Sequence, residues 1–266
     1  MRTKYQKAPI TTEWTLAPPT DTGDAIRMGM EIGAATALMD DAWWFPMILD
    51  PTSGDRIICL FERALPHSII VDSSANRFTN ESQSYIDVGH DIYRRHQDVS
   101  AIPAWMILDN NHRRKYPLGN LLPGFAPQSA LDSYVYKGES LDELAGKIGL
   151  DPRPLNKTVQ RFNDMARRGV DEDFGRGQTA YDLYFGDPKS TPNKALGPIE
   201  RGSFYAVKVW PGDLGTKGGL LTDEYGRVID QGGRPIRGLY AAGNTTASVM
   251  GRTYPGARFD FCLYRR

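Results

Sequence analysis

Residues 237–256, RGLYAAGNTTASVMGRTYPG, hold the residue types best suited to touch a ligand. An apolar strand is expected over 239–242, Gly243 ends it, and small polar residues lead to a turn at Tyr254, Pro255 and Gly256. A strand that stops at a glycine and leaves backbone amides exposed suits an anionic or carbonyl-bearing ligand. The Tyr254 phenol would add a rigid donor that is neutral at pH 7. Other reactive types are less well arranged. Asp40 and Asp41 are adjacent carboxylates, but neighbours on a helix point to different faces, so they read as a solvated helix end. Trp43 and Trp44 read as core. His67, His90, His96 and His112 show no metal-ligand spacing, and the run His112-Arg113-Arg114-Lys115 reads as a solvated basic turn. Cys59 and Cys262 match no metal or redox spacing and read as free thiols of a reducing compartment.

The elements that would carry these residues can be read from pattern. Thr22-Gly23-Asp24 precedes a helical run over 25–40, with Ile26, Met30, Gly33, Ala34 and Ala37 on one face and Asp24 near the start, where a carboxylate caps amides. A composition shift from Asp40 to Pro46 marks a domain crossover. Strands are expected at 56–61 and 68–72, a turn at 73–76, a helix over 85–97 and a strand at 105–108. Ser140 and Glu143 form a capping box, and Asp151-Pro152 opens a second helix with Leu155, Val159, Phe162 and Ala166 on one face. Residues 170–200 read as a long polar loop. A strand follows at 204–209, and 218–222 with 227–229 flank a hairpin turn. The fold class is α/β (α+β).

Composition narrows the function. The 266 residues suffice for one large domain or two modest ones. Formal net charge is zero, which gives no electrostatic case for nucleic acid or an anionic membrane surface. No apolar run is long enough to span a bilayer, and the first residues have no signal-peptide core, so a soluble cytoplasmic protein is expected. The 5 Trp, 13 Tyr and 10 Phe suit a site for a flat apolar ligand, and equally an ordinary core.

The segment 237–256 resembles the flavin- and substrate-contacting segment of 3-ketosteroid Δ1-dehydrogenases, in the fumarate reductase/succinate dehydrogenase flavoprotein superfamily. The order of double glycine (Gly218-Gly219), hairpin, strand and Ala241-Ala242-Gly243-Asn244 is similar to that superfamily's return to its flavin domain, and the helical pair over 142–163 resembles one in its substrate domain. The resemblance implies FAD as cofactor and a 3-ketosteroid as substrate. It implies an FAD-binding domain, with fragments at 1–45 and 213–266, interrupted by a mixed α+β substrate domain at 46–212. The family removes a hydride from steroid C1 and a proton from C2, so it needs a donor pair at the 3-keto oxygen and a base across ring A.

By the same resemblance Tyr254 matches the carbonyl-binding tyrosine and Tyr85 the proton-abstracting one. A phenol has a pKa near ~10 and burial raises it, so such a base needs help, which the family supplies with a second tyrosine from its N-terminal part. Arg258 falls where the family's second carbonyl donor, a backbone amide, sits. Gly218, Gly219, Gly243, Asn244 and Gly256 match flavin-facing positions. Other readings remain: another FAD-dependent ketosteroid dehydrogenase or reductase, a fumarate-reductase-like enzyme, or a non-catalytic steroid-binding remnant.

Two departures accompany the resemblance. The family opens with a strand, a G-x-G-x-x-G turn and a helix that seats the pyrophosphate. The sequence has no such motif; its nearest runs are Gly175-Arg176-Gly177 and Gly232-Gly233-Arg234. A C-terminal fragment, inactive alone or completed by a separately encoded N-terminal half, is therefore expected. After Ala257 the family's small-residue run is replaced by Arg258-Phe259-Asp260, which reads as a single-base frameshift.

Overall fold

A computed structural model of the chain describes residues 1–50, 53–131 and 133–254. In chain order its helices are α1 (Arg2–Tyr5), α2 (Asp24–Glu31), α3 (Tyr85–His96), α4 (Asn110–Lys115), α5 (Gln128–Leu131), α6 (Leu141–Ile148), α7 (Pro152–Arg168) and α8 (Ala180–Tyr184). Its strands are β1 (Thr36–Ala37), β2 (Ala42–Leu49), β3 (Arg56–Ile58), β4 (Ser68–Val71), β5 (Ala104–Asp109), β6 (Val135–Gly138), β7 (Phe204–Thr216), β8 (Gly219–Leu220), β9 (Arg227–Ile229) and β10 (Pro235–Tyr240). The fold is mixed α/β with antiparallel sheets. Two compact units form: a first of Met1–Trp44 with Asp213–Arg266, and a second of Phe45–Gly212.

The second unit is built on a sheet of order β3-β2-β7-β5-β4, with β6 also paired to β7. Alternation along the strands sends side chains to two cores. Ile70, Met106, Leu108 and Val207 join Val88 and Ile92 of α3 on one side. Ile69, Val71 and Ile107 join Leu144, Ile148, Leu155, Val159 and Phe162 of α6 and α7 on the other. The sheet is covered on both faces, so β4 and β5 read as continuous apolar runs. Ser140 accepts from the Glu143 amide at 3.1 Å and starts α6, and Asp151 accepts from the Arg153 amide at 2.9 Å and starts α7. Gly149 and Gly169, at φ of 74° and 78°, end the two helices.

The first unit is smaller. Its core gathers Ile26, Ala34, Leu220 and Val228. β1 pairs with β8 and β9 with β10. α2 stops at Glu31 and does not run on to 40, because Gly33 at φ 87° turns the chain and the Gly33 and Ala34 amides close on Met30 and Gly29 carbonyls. Gly29 lets α2 approach β8 closely, since a Cβ there would lie 2.7 Å from a Leu220 methyl and push that side chain aside.

Several sequence expectations are corrected. The Asp40 to Pro46 stretch is a turn and then the largely buried β2, which apolar residues on both faces explain. The strand expected over 56–61 ends at Ile58. The strand expected at 204–209 extends to Thr216. The turn between 222 and 227 closes as expected through the Thr222–Val228 bridge, but its flanking strands find their main partners elsewhere, in β1 and β10. The 170–200 stretch contains α8, opened by a reciprocal cap between Thr179 and Asp182. Among the described residues no helix is long and apolar enough to cross a membrane.

Candidate active site

Tyr85 opens α3 in the second unit, directly after its N-cap Ser84. Its ring is 9% exposed and stacks on Phe45, with centroids 4.2 Å apart and planes 17° from parallel. The segment before it is held from below by charge. Glu81, fully buried, accepts from the Ile70 amide at 3.0 Å, from Arg77 at 2.9 and 2.7 Å, and from Arg176 at 3.1 Å. Asp171 takes the other side of Arg77 at 3.1 and 2.9 Å. Burial alone would raise the Glu81 and Asp171 carboxyl pKa values. The guanidiniums of Arg77 and Arg176 beside Glu81, and of Arg77 beside Asp171, hold them below the usual range. Arg63, also fully buried, donates to the carbonyls of Glu81, Gln83 (2.8 Å) and Cys59 (3.1 Å). The loop carrying Tyr85 is thus fixed by three buried guanidiniums.

Tyr254 belongs to the first unit. Its ring meets Trp43 edge-on at 5.1 Å. Lys217, 1% exposed, places its ammonium 4.7 Å from the centre of the Trp43 ring and donates to the Thr253 carbonyl at 2.9 Å. Trp43 is therefore half-buried beside Tyr254 and not core, whereas Trp44 is core and donates to Asp41 at 2.8 Å. The adjacent carboxylates are not a solvated helix end. Asp41 is buried, while Asp40 pairs with Arg252 at 2.8 and 2.9 Å, which holds the Asp40 carboxyl below its ordinary value. Lys217 escaped the sequence reading, and Trp43 was read only as core; the Lys217-Gly218-Gly219 run was the available signal.

The glycines separate into two kinds. A Cβ at Gly218 would lie 2.5 Å from the Leu38 carbonyl, and one at Gly219 would lie 2.4 Å from the Thr245 carbonyl. Their lack of side chains is accounted for by close backbone packing. Gly243, at φ 62°, has open space where a Cβ would stand. Asn244 beside it lines a pocket of about 240 Å³, shared with Thr22, Asp24, Thr216 and Thr245. Gly218, Gly219, Gly243 and Asn244 are thus brought together in the first unit, since residues 217–220 bridge to 246–248. Tyr85 lies in the second unit. Gly256, Arg258, Cys262 and the expected frameshift after Ala257 lie outside the described residues.

The basic run at 112–115 is corrected. His112 and Arg113 are buried in α4, capped by Asp109, and Arg113 spends its donors on the carbonyls of Tyr116, Leu122 and Phe125. Burial pushes the His112 imidazole down to about 3. Cys59 is buried, and burial pushes its thiol up. Among the described residues no three His, Cys, Asp or Glu groups could hold a metal ion.

β10 ends at Tyr240, and the turn at Gly243–Thr245 lies beside a hydroxyl-lined pocket in a unit whose sequence the second unit interrupts. An interrupted ligand-binding unit of this kind suits a flavoprotein. The chain matches the FAD binding domain family over residues 3–257 and belongs to it. It is 49% identical over 263 residues to 3-oxosteroid 1-dehydrogenase of Mycobacterium tuberculosis, covering 96% of this chain and 46% of that protein. It is 43% identical to 4-oxocyclohexanecarboxylate 2-dehydrogenase of Sinomonas cyclohexanicum, covering 91% of this chain and 43% of that protein. Its structure matches the crystal structure of 3-ketosteroid delta1-dehydrogenase from Sterolibacterium denitrificans in complex with 1,4-androstadiene-3,17-dione, with a TM-score of 0.91, 42% identity, and coverage of 96% of this chain and 46% of that one. The chain spans about half the length of the curated relatives it matches.

FAD is the cofactor this family implies, and the residues fit part of it. The pocket is smaller than the roughly 300–1,000 Å³ of a complete ligand site. Its threonine hydroxyls, the Asn244 amide and the Asp24 carboxylate match the hydroxyls of a sugar or polyol arm. Asp24 in the first turn of α2 opposes a phosphate at that helix start. Gly243 is exposed, with open space where a Cβ would stand.

Proposed function

We propose that the chain forms the substrate-binding part and the C-terminal flavin-contacting part of an FAD-dependent 3-ketosteroid 1-dehydrogenase. The observation that carries this reading is the 49% identity to a 3-oxosteroid 1-dehydrogenase over 96% of the chain. In this reading residues 1–45 and 213–266 belong to the flavin-binding domain and 46–212 to the substrate domain. Bound FAD supplies the acceptor for the hydride that leaves C1. Tyr85 takes the proton from C2. Its stack on Phe45 and the pinned 81–84 segment keep the phenol at one place, which a base in an apolar pocket requires. Tyr254 donates a hydrogen bond to the 3-keto oxygen as that oxygen becomes enolate-like, and the Arg258 backbone amide is the second donor. Lys217, through the Thr253 carbonyl and Trp43, holds the turn that presents Tyr254. Gly218, Gly219, Gly243 and Asn244 are assigned to the flavin contact in this reading, and Gly256 is assigned to it by the resemblance alone.

The test is product analysis with a steroid deuterated at C1 and C2, using the full chain alone and mixed with the flavin-binding N-terminal half of the M. tuberculosis relative. Loss of both labels in the mixture is expected. Hydrogen lost from C4 and C5 would move the reading to a different ketosteroid dehydrogenase, and no turnover in the mixture would leave a non-catalytic steroid binder.

A second reading, in which a separate polypeptide supplies the flavin-binding half, is favoured by the apolar surface of the first unit. Met28, Ile32, Tyr240 and Val249 are 60–88% exposed there. Co-expression that removes aggregation seen with the chain alone is the expected result. A chain that stays monodisperse alone and ignores its partner overturns this reading.

A further inference from the structure

We propose that Arg63 is a positioning residue for the proton abstraction assigned to Tyr85: by holding the Glu81 and Gln83 carbonyls it sets where α3 begins. The inference rests on the function proposed above and adds what aims its base.

Tyr85 is the first residue of α3, so its place depends on how the chain enters that helix. A serine N-cap ordinarily takes a first-turn amide onto its hydroxyl. Ser84 makes no such cap bond, and the Val88 amide bonds the Ser84 carbonyl at 3.0 Å. The entry is held from the preceding side, through peptide carbonyls. One nitrogen of Arg63, Nη1, donates to the Glu81 carbonyl and, at 2.8 Å, to the Gln83 carbonyl. Its Nε donates to the Cys59 carbonyl at 3.1 Å. Two carbonyls gathered on one nitrogen fix their separation, and with it the direction in which the chain runs on to Tyr85. Between them, the Ser82 hydroxyl donates to the Ala64 carbonyl at 3.2 Å, so the 81–83 segment is bonded to residues 63 and 64 in both directions.

Arg77 and Arg176 act differently. Their bonds to this segment end on side chains: the Glu81 carboxylate for both, and the Ser82 hydroxyl at 3.1 Å for Arg176. Arg63 holds the backbone. It is fully buried, and among the described residues its hydrogen bonds end on carbonyls and no carboxylate forms an ion pair with it. Burying a cation without a counter-charge is unfavourable, and an apolar side chain of similar length would avoid that cost. What the guanidinium supplies in return is charge-assisted bonding to the segment ahead of Tyr85.

The experiment labels the full chain with 3-fluorotyrosine, the Tyr85 resonance being the one lost in Tyr85→Phe. Turnover of a C2-deuterated 3-ketosteroid is followed in the mixture with the flavin-binding half of the M. tuberculosis relative. In Arg63→Met the Tyr85 resonance is expected to shift or broaden, and kcat to fall about 10²-fold with KM unchanged. Arg63→Lys, whose ammonium can replace both bonds of Nη1, is expected to stay within about threefold of the parent. Arg63→Gln, neutral and too short to bridge both carbonyls, carries the expectation of Arg63→Met if that variant does not fold. A folded Arg63→Met or Arg63→Gln with an unmoved Tyr85 resonance and the parent kcat overturns this inference alone. A loss in Arg63→Lys equal to that in Arg63→Met overturns it too, because the carbonyl bonds would then not be what matters. So does a raised KM at unchanged kcat, which would place the effect in substrate binding. A parent mixture that turns over no steroid overturns the function reading, and this inference with it.

Discussion

Replacing Glu81 by glutamine should unlock the segment that presents Tyr85. Both carboxylate oxygens of Glu81 are occupied, by one amide and two guanidiniums, and the side chain is fully buried. Glutamine keeps the volume but turns one acceptor into a donor facing a guanidinium, and it removes the charge that neutralises Arg77 and Arg176. Removing one member of such a buried ionic group costs about 3–5 kcal/mol, a large share of the roughly 5–15 kcal/mol that holds a domain folded. For a unit of this size the melting temperature should fall by roughly 6–20 °C. The assay is thermal unfolding followed by far-UV circular dichroism, with Glu81→Gln, Arg176→Met and the double variant. The double variant should recover part of the loss, because it also removes the stranded cation. The sign with pH follows from the same contacts. The folded carboxyls of Glu81 and Asp171 titrate below their ordinary values. Their contribution is therefore complete above the unfolded carboxylate range, about pH 4, and is lost as pH falls through the folded values. A single variant melting within about 2 °C of the parent would refute the reasoning.

The remaining expectations are narrower. His112, buried and neutral with a folded value of about 3, contributes stability above about pH 6.5 that is lost as pH falls toward 3. Between pH 7 and pH 5 that is about 2 kcal/mol, so denaturant titrations of His112→Gln should show a pH dependence smaller by that amount. Gly219→Ala should lower stability more than Gly243→Ala, because the first Cβ meets the Thr245 carbonyl and the second meets only the backbone cost of φ 62°, about 1–2 kcal/mol. Equal losses in urea titrations would mean that close packing is not what requires Gly219. Tyr85→Phe should keep its stack on Phe45 and melt as the parent does, while exchange of the steroid C2 deuterium in the reconstituted mixture slows by about 10²–10⁴. Undiminished exchange would assign the base elsewhere.

How much of this could be read from sequence depended on whether the deciding partner was near in the chain. Ser140 with Glu143, and Asp151 with Pro152, announced α6 and α7 because a cap is a local bond. β4 and β5 were legible as short apolar runs. β2 was not, since Pro46 and two tryptophans masked a strand whose partners lie in β3 and β7. The polar 170–200 stretch was read as solvated, yet Arg176 and Asp171 turn inward to Arg77 and Glu81, some 94 residues away in sequence. The same error hid His112 and Arg113, because composition counts charges and not the carbonyls that meet them. The Thr179–Asp182 cap was a usable local signal for α8. At the site, the terminal tyrosine stood out from sequence, but the strand expected over 239–242 is instead Pro235–Tyr240 and stops before Gly243, and the Lys217–Trp43–Tyr254 set joins three separate segments and becomes visible only in space.

The path of the chain has a practical meaning. Unit two is one unbroken stretch, Phe45–Gly212, and it enters on β2 and leaves on β7, which are neighbours in its sheet. A segment whose two ends emerge side by side behaves as a cassette: it can be lifted out, circularised or grafted without stretching a linker. Cores drawn from α3, α6 and α7 close within that stretch, so recombination between homologous genes could exchange the whole second unit in a single event, with two splice points, and leave the first unit untouched.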